Sequence, residues 1–311
     1  MPTPKIFDAH CDVLMKMFLD HTISFKDSSG LNLNYDRLKA SGGKIQCFAI
    51  YIPEKIHPNL RFEVALSMID IFYEKVLTLP NMKQIKSPED IRNLGEDEIG
   101  AILTLEGCDC IGEDLLKLKT LLRLGVWFVG LTWNYANYVA DGALEERGAG
   151  LSGFGKKVVD LLHYSKTWCD VSHLSEKGFW DVLERTPYVL ASHSNCHTLC
   201  PHPRNLKDEQ IQALIQNQSV IGVTFVPEFL KENANAQIKD ILHHIDHICS
   251  LGGEKHIGFG SDFDGIEKFV KKLENFEGYS ILVEELYKHY SSSQIDGFLY
   301  KNFIKLLMKS S

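Results

Sequence analysis

Eight short runs of apolar and β-branched residues recur along this chain, at 6–13, 44–52, 100–106, 126–133, 169–173, 188–193, 219–226 and 256–262. Between them lie stretches of helical period. "LRFEVALSMIDIFYEKVLTL" precedes the third run and "EDLLKLKTLLRLG" the fourth, while "QIKDILHHIDHICSLGG" ends at glycines, as helices often do. In "NLKDEQIQALIQNQ", Asn205 offers an N-cap, Asp208 favours the helix start, and Ile211, Leu214 and Ile215 keep i, i+3, i+4 spacing. Strands that are continuously apolar need cover on both faces, and strands alternating with helices pair in parallel. Eight such units in about 260 residues predict a closed (β/α)8 barrel. A doubly wound open sheet is the alternative that the pattern leaves open.

At 311 residues, such a barrel accounts for the chain as one domain, 1–311, and no linker or low-complexity block divides it. A net charge of −8 argues against a nucleic-acid partner, which needs clustered Lys and Arg. No run approaches the roughly 18 apolar residues of a membrane span. "MPTPKIFDAH" has no apolar leader core and "IKLLMKSS" is too short and charged for a lipid-anchor tail, so the expected location is cytoplasmic. The eight cysteines sit mostly in apolar segments and read as reduced core thiols.

A barrel of this kind carries its chemistry where strands end. His10 and Asp12 lie at the end of the first run, and, being two apart, project from one face. Glu106 ends the third run, His173 the fifth, His193 the sixth and Asp262 the eighth. One such residue is most simply a satisfied core or loop group, but three histidines and three carboxylates at one mouth point to metal. Six N and O donors exceed the three protein ligands of a single catalytic zinc, so the set predicts two ions sharing a carboxylate. Donors without thiolate suit Zn²⁺, with Mn²⁺, Co²⁺ or Fe²⁺ as alternatives. A pair of ions lowers the pKa of a bridging water and polarises a carbonyl, which is hydrolase chemistry.

"DAHCD", Glu106-Gly107, "DVSHLS", "ASHSN" followed by "HPRN", and "GSDFDG" stand in the order seen in membrane (renal) dipeptidases of the metal-dependent amidohydrolase superfamily. "IDGFLYKNFIKLL" is similar to that family's closing helix, and the resemblance covers nearly the whole chain. It implies that His10 and Asp12 bind one zinc, His173 and His193 the other, and Glu106 both. It also implies that Asp262 shuttles the proton of the bridging water and that Arg204 clamps the terminal carboxylate of a dipeptide. A homodimer, and tolerance of a D-residue at the second position, are further implications.

Animal members carry a histidine after "LT" at the fourth strand, where Trp133 stands here. An indole N–H donates a hydrogen bond but carries no charge, so the substrate-binding position differs, and the resemblance is closer to bacterial-type members. His243 and His247 are one turn apart but belong to a covering helix and read as structural. The segment 140–155, rich in glycine, reads as a pocket wall or lid. Two other functions compete with the dipeptidase: an N-acyl-amino-acid amidase or lactonase using the same site, and a metal-binding protein that has lost catalysis.

Overall fold

The computed structural model describes residues 4–310. Its strands are β1 (Ile6–Asp8), β2 (Gly43–Tyr51), β3 (Met82–Gln84), β4 (Ile99–Glu106), β5 (Val126–Gly130), β6 (Trp168–Asp170), β7 (Val189–Leu190), β8 (Ile221–Val223) and β9 (Ile257–Phe259). All pair in parallel, in the order β7-β6-β5-β4-β2-β1-β9-β8. The ring closes just past β7, where Ala191 pairs with Ile221 and the Gly222 N–H donates to the Ala191 carbonyl at 2.7 Å. This is a (β/α)8 barrel, and the open sheet is set aside.

β3 is extra to the eight. It borders Ile99–Ala101 at the start of β4, while β5 takes over the same edge from Leu103 to Glu106. Its sequence, Met-Lys-Gln with Lys83 exposed, carries no apolar pattern that would announce a strand.

β6 and β7 end before the apolar runs at 169–173 and 188–193 do. Asp170 explains this: its Oδ1 accepts the backbone N–H of Ser172 and of Ser192, each at 3.0 Å. A side-chain carboxylate thus replaces ladder bonds and lets both chains peel off into the loops that carry His173 and His193.

The helix Asp208–Gln216 starts later than an Asn205 cap would place it. Lys207 is the capping residue, its N–H taken by Gln210 Oε1 at 2.9 Å. Asn205 is buried and donates to the carbonyls of Cys200 and Phe229, both at 2.8 Å, because tying two site loops together competes with capping. On the helix Ile238–Ser250, His243 is exposed and His247 pairs with Asp208 at 2.8 Å, as structural residues do.

The barrel floor is plugged by the closing helix Asn302–Leu307. Phe303 stacks on Phe7 with ring centroids 4.6 Å apart and fills the space a side chain at Gly258 would need, since a Cβ there would sit 2.2 Å from the ring. All eight cysteines are free thiols, and no helix among the described residues is long and apolar enough to cross a membrane.

Candidate active site

At the opposite end of the barrel, β1, β4, β6, β7 and β9 deliver His10, Asp12, Glu106, His173, His193 and Asp262 to one cluster. Glu106 lies at its centre. Its Oε1 is 3.0 Å from His173 Nε2 and 3.7 Å from His193 Nε2, whereas its Oε2 is 3.4 Å from His10 Nε2. His10 Nε2 is also 3.5 Å from Asp12 Oδ2 and 3.9 Å from Asp262 Oδ1. His173 and Asp262 adopt left-handed backbone conformations (φ 68° and 65°). Such strain in residues other than glycine is held in place only where the surroundings over-determine it.

The electrostatics are those of crowded acids. Burial, reinforced by Glu106, pushes Asp12 up to about 8, and burial likewise raises Asp262. Burial also opposes ionisation of Glu106, but His10 and His173 beside it hold the carboxyl well below its usual range. Burial and nearby Arg204 lower His173 to about 3, and burial with His10 depresses His193.

The donor set fits divalent cations. His173 Nδ1 lies 2.8 Å from Asn134 Oδ1 and His193 Nδ1 lies 2.7 Å from Ser192 Oγ, so both rings have acceptors on that side. The two Nε2 atoms then face each other at 2.8 Å beside a carboxylate, which suits a shared cation. His10 Nε2 and Asp12 Oδ1 are buried without hydrogen-bond partners among the described residues. The groups His10–Glu106–His193 and His10–Asp12–Asp262 each bring ligand atoms within 4.8 Å of one another. Gly265 leaves the acids open: a Cβ there would lie 2.2 Å from Asp12 Oδ2 and 2.5 Å from Asp262 Oδ1.

The cluster floors a cavity of about 400 Å³, the size of a small-molecule site. Arg204 and Trp133 both line it. Arg204 is buried, donates from Nη2 to the His193 carbonyl at 3.2 Å, lies over the Phe229 ring, and has an Nε with no partner among the described residues. Trp133 packs 5.3 Å from Tyr51 and 6.2 Å from His173.

The segment 140–155 is wall. Asp141 is paired with Arg147 and accepts the Ala149 N–H, Ala143 N–H donates to the His173 carbonyl at 2.7 Å, and Leu144 reaches the cavity. Tyr51, Asn134, His202 and Phe229 also belong to the site and were not singled out from sequence. Tyr51 ends β2 and His202 opens the "HPRN" segment, but Asn134 and Phe229 lie in a loop and a short helix beyond their strands, and none of the four residue types is diagnostic of a site.

A parallel barrel with buried histidines and carboxylates clustered at the C-terminal ends of its strands defines a metal-dependent hydrolase. A family model described as membrane dipeptidase (peptidase family M19) matches residues 1–310, and the chain belongs to that family. It is a metallo-dipeptidase. It is 31% identical, over 77% of its length and 96% of the relative's, to an uncharacterized protein in the pqqA 5′ region of Klebsiella pneumoniae. It is 29% identical to an uncharacterized dipeptidase of Schizosaccharomyces pombe, over 98% of this chain and 80% of that one. Among solved structures, a metallopeptidase of Rhodobacter sphaeroides liganded with a phosphinate mimic of L-Ala-D-Ala superposes with a TM-score of 0.93. Its identity is 26%, with 99% of this chain and 100% of that chain covered. A second, a dipeptidase described as an M19 metallopeptidase, gives 0.93 at 28% identity, with 99% of each chain covered.

Proposed function

We propose that this chain, as one domain over residues 1–311, is a dinuclear zinc dipeptidase acting on unblocked dipeptides and tolerating a D-residue at the C-terminal position. The observation that carries this is the division of Glu106, with one oxygen toward His173 and His193 and the other toward His10. His10 and Asp12 would hold one ion, His173 and His193 the other, with Glu106 shared. Zn²⁺ suits these donors, and Mn²⁺, Co²⁺ or Fe²⁺ would also fit. When bound, such a pair acidifies a water and polarises the scissile carbonyl.

The protein's own groups orient the substrate and move the proton. Arg204 offers an Nε–H with no partner among the described residues, next to the terminal nitrogens of its guanidinium, a match for the planar carboxylate of a dipeptide. Because it grips the carboxylate and not the side chain, either configuration fits at the second residue; the mimic bound by the Rhodobacter relative is of this kind. Asp262, raised by burial, takes a proton from the attacking water and passes it to the departing amine. Trp133 and Tyr51 form an aromatic wall that keeps solvent from one side of the substrate.

The test is metal analysis after loading with zinc, paired with hydrolysis of Ala-Ala and Ala-D-Ala before and after chelation. About two equivalents and chelator-sensitive cleavage of both are expected. Full activity at a fixed single equivalent would overturn the dinuclear assignment.

A further inference from the structure

We propose that Asp170, acting through the Ser192 hydroxyl, sets the tautomer of His193 and so aims the Nε2 lone pair at Glu106. This rests on His193 being a metal ligand, as proposed above. Asp170 is a positioning residue: it is buried beneath the cluster and reaches no part of the cavity lining.

The relay follows from what each atom can do. Asp170 Oδ1 is committed to the backbone N–H groups of Ser172 and Ser192, at 3.0 Å each. Oδ2 accepts the Ser192 Oγ–H. That hydroxyl has one proton and has spent it, so at 2.7 Å from His193 Nδ1 its oxygen can only accept. The proton of neutral His193 must therefore sit on Nδ1, leaving Nε2 bare on the side of His173 and Glu106. Ser172, which Asp170 also holds, accepts the His193 backbone N–H on its Oγ at 3.1 Å and fixes the residue from the other side.

An asparagine at 170 would invert this chain of donors. The two backbone N–H groups admit only the amide oxygen, which turns the NH₂ toward Ser192. The hydroxyl must then accept from the amide, and its nearest acceptor is His193 Nδ1 at 2.7 Å, ahead of Ser172 Oγ at 3.4 Å; donation there moves the ring proton to Nε2, where it blocks a ligand position.

The fold supplies a matched control. Asp8, fully buried at the end of β1, accepts the N–H of His10 at 3.2 Å and of Ser261 at 2.9 Å on its Oδ1, the same clamp on adjacent loops. Its other oxygen has no hydrogen-bond partner among the described residues and leads to no histidine. Asp8→Asn therefore keeps the clamp and has no relay to reverse.

The experiment uses the full chain, stripped of metal. Long-range ¹H–¹⁵N correlation reads the His193 tautomer, and calorimetric titration with Zn²⁺ reads the sites. Wild type should show the Nδ1–H form and take two ions. Asp170→Asn should show the Nε2–H form and bind one of the two ions about 10–100-fold more weakly. Ser192→Ala, which deletes the relay without reversing it, should give a mixture of tautomers and a smaller loss. Asp8→Asn should match wild type in both readouts. The proposal is overturned if Asp170→Asn keeps the Nδ1–H form, or if Asp8→Asn loses as much zinc affinity, which would leave only a structural clamp. Should Asp170→Asn not fold, the tautomer in Ser192→Ala decides: an unmixed Nδ1–H form overturns the relay. A wild type that takes a single ion refutes the dinuclear assignment instead, and the tautomer of the metal-free protein still decides the relay.

Discussion

Arg204 Nη2 donates to the main-chain carbonyl of His193 at 3.2 Å, so the cavity's buried guanidinium hangs from the backbone of a residue that also faces Glu106. The proposed substrate clamp and the proposed metal cluster are thereby held in one frame, and a shift in either moves the other. Arg204→Ala should lower kcat/KM by about 10- to 150-fold, the worth of a charge-assisted hydrogen bond of roughly 1.5–3 kcal/mol. On a C-terminally amidated dipeptide, which the wild type should already cleave poorly, the penalty should largely vanish. Equal losses on both substrates would mean that the frame, not the clamp, had failed.

Asp262→Asn should keep its place beside His10 and Asp12 while losing the capacity to take up and pass on a proton. A fall in kcat of about 10²–10⁴-fold with zinc content unchanged is expected. Near-normal turnover at full metal content would remove Asp262 from the proton path.

Stripping metal should cost stability as well as activity. Asp12, Glu106 and Asp262 converge so that Glu106 raises both aspartates, and bound cations would relieve that repulsion. Zinc free at 100 times its Kd would stabilise the fold by about 2.7 kcal/mol per site. Thermal unfolding with and without chelator should show the shift, and a Tm indifferent to zinc would contradict a folded-state metal site.

Substrate length should be read by the distance from the cluster to Arg204. The proposed dipeptide places one residue between the cleaved bond and the Arg204 clamp, so a tripeptide should strand its terminus outside it. Ala-Ala and Ala-D-Ala should exceed both Ala-Ala-Ala and N-acetyl-alanine in kcat/KM. The reverse order would favour an amidase over a dipeptidase.

Far from the cavity, His244 should make stability pH-dependent. It is buried, accepts the Cys196 N–H on Nδ1 at 3.0 Å and donates from Nε2 to the Leu230 carbonyl at 3.1 Å, a pattern that only the neutral ring satisfies. Burial lowers its pKa to about 4, against 6.5 for a free histidine. Between these values the unfolded chain binds a proton that the native chain does not. The contribution is therefore intact above pH 6.5 and is lost as pH falls toward 4, by on the order of 3 kcal/mol. Urea unfolding of wild type and His244→Gln from pH 4.5 to 7.5 should show a stability gap that narrows with acid. A constant gap would rule this out.

Eight apolar runs, the helices between them, and the six metal-type residues at the run ends are local properties of the chain, and they determined the barrel and the chemistry at its mouth. An apolar run declares a buried strand whichever strand lies beside it, and a histidine or carboxylate at its end declares a ligand type whatever it meets. Pairings across the barrel are another matter. That Glu106 divides its oxygens between His10 and the His173–His193 pair depends on β4 facing β1, β6 and β7 across a closed ring. Asp170 and Ser192 are 22 residues apart and meet only because β6 and β7 are neighbours. Asn205 left its expected cap for two carbonyls, one of them on Phe229, 24 residues away, and β3 formed only because the start of β4 offered an edge that β5 does not cover. Hydrogen bonds are short and directional, so which donor reaches which acceptor is decided by the tertiary structure once closure sets the strand order, whereas burial and residue chemistry are written into each segment alone.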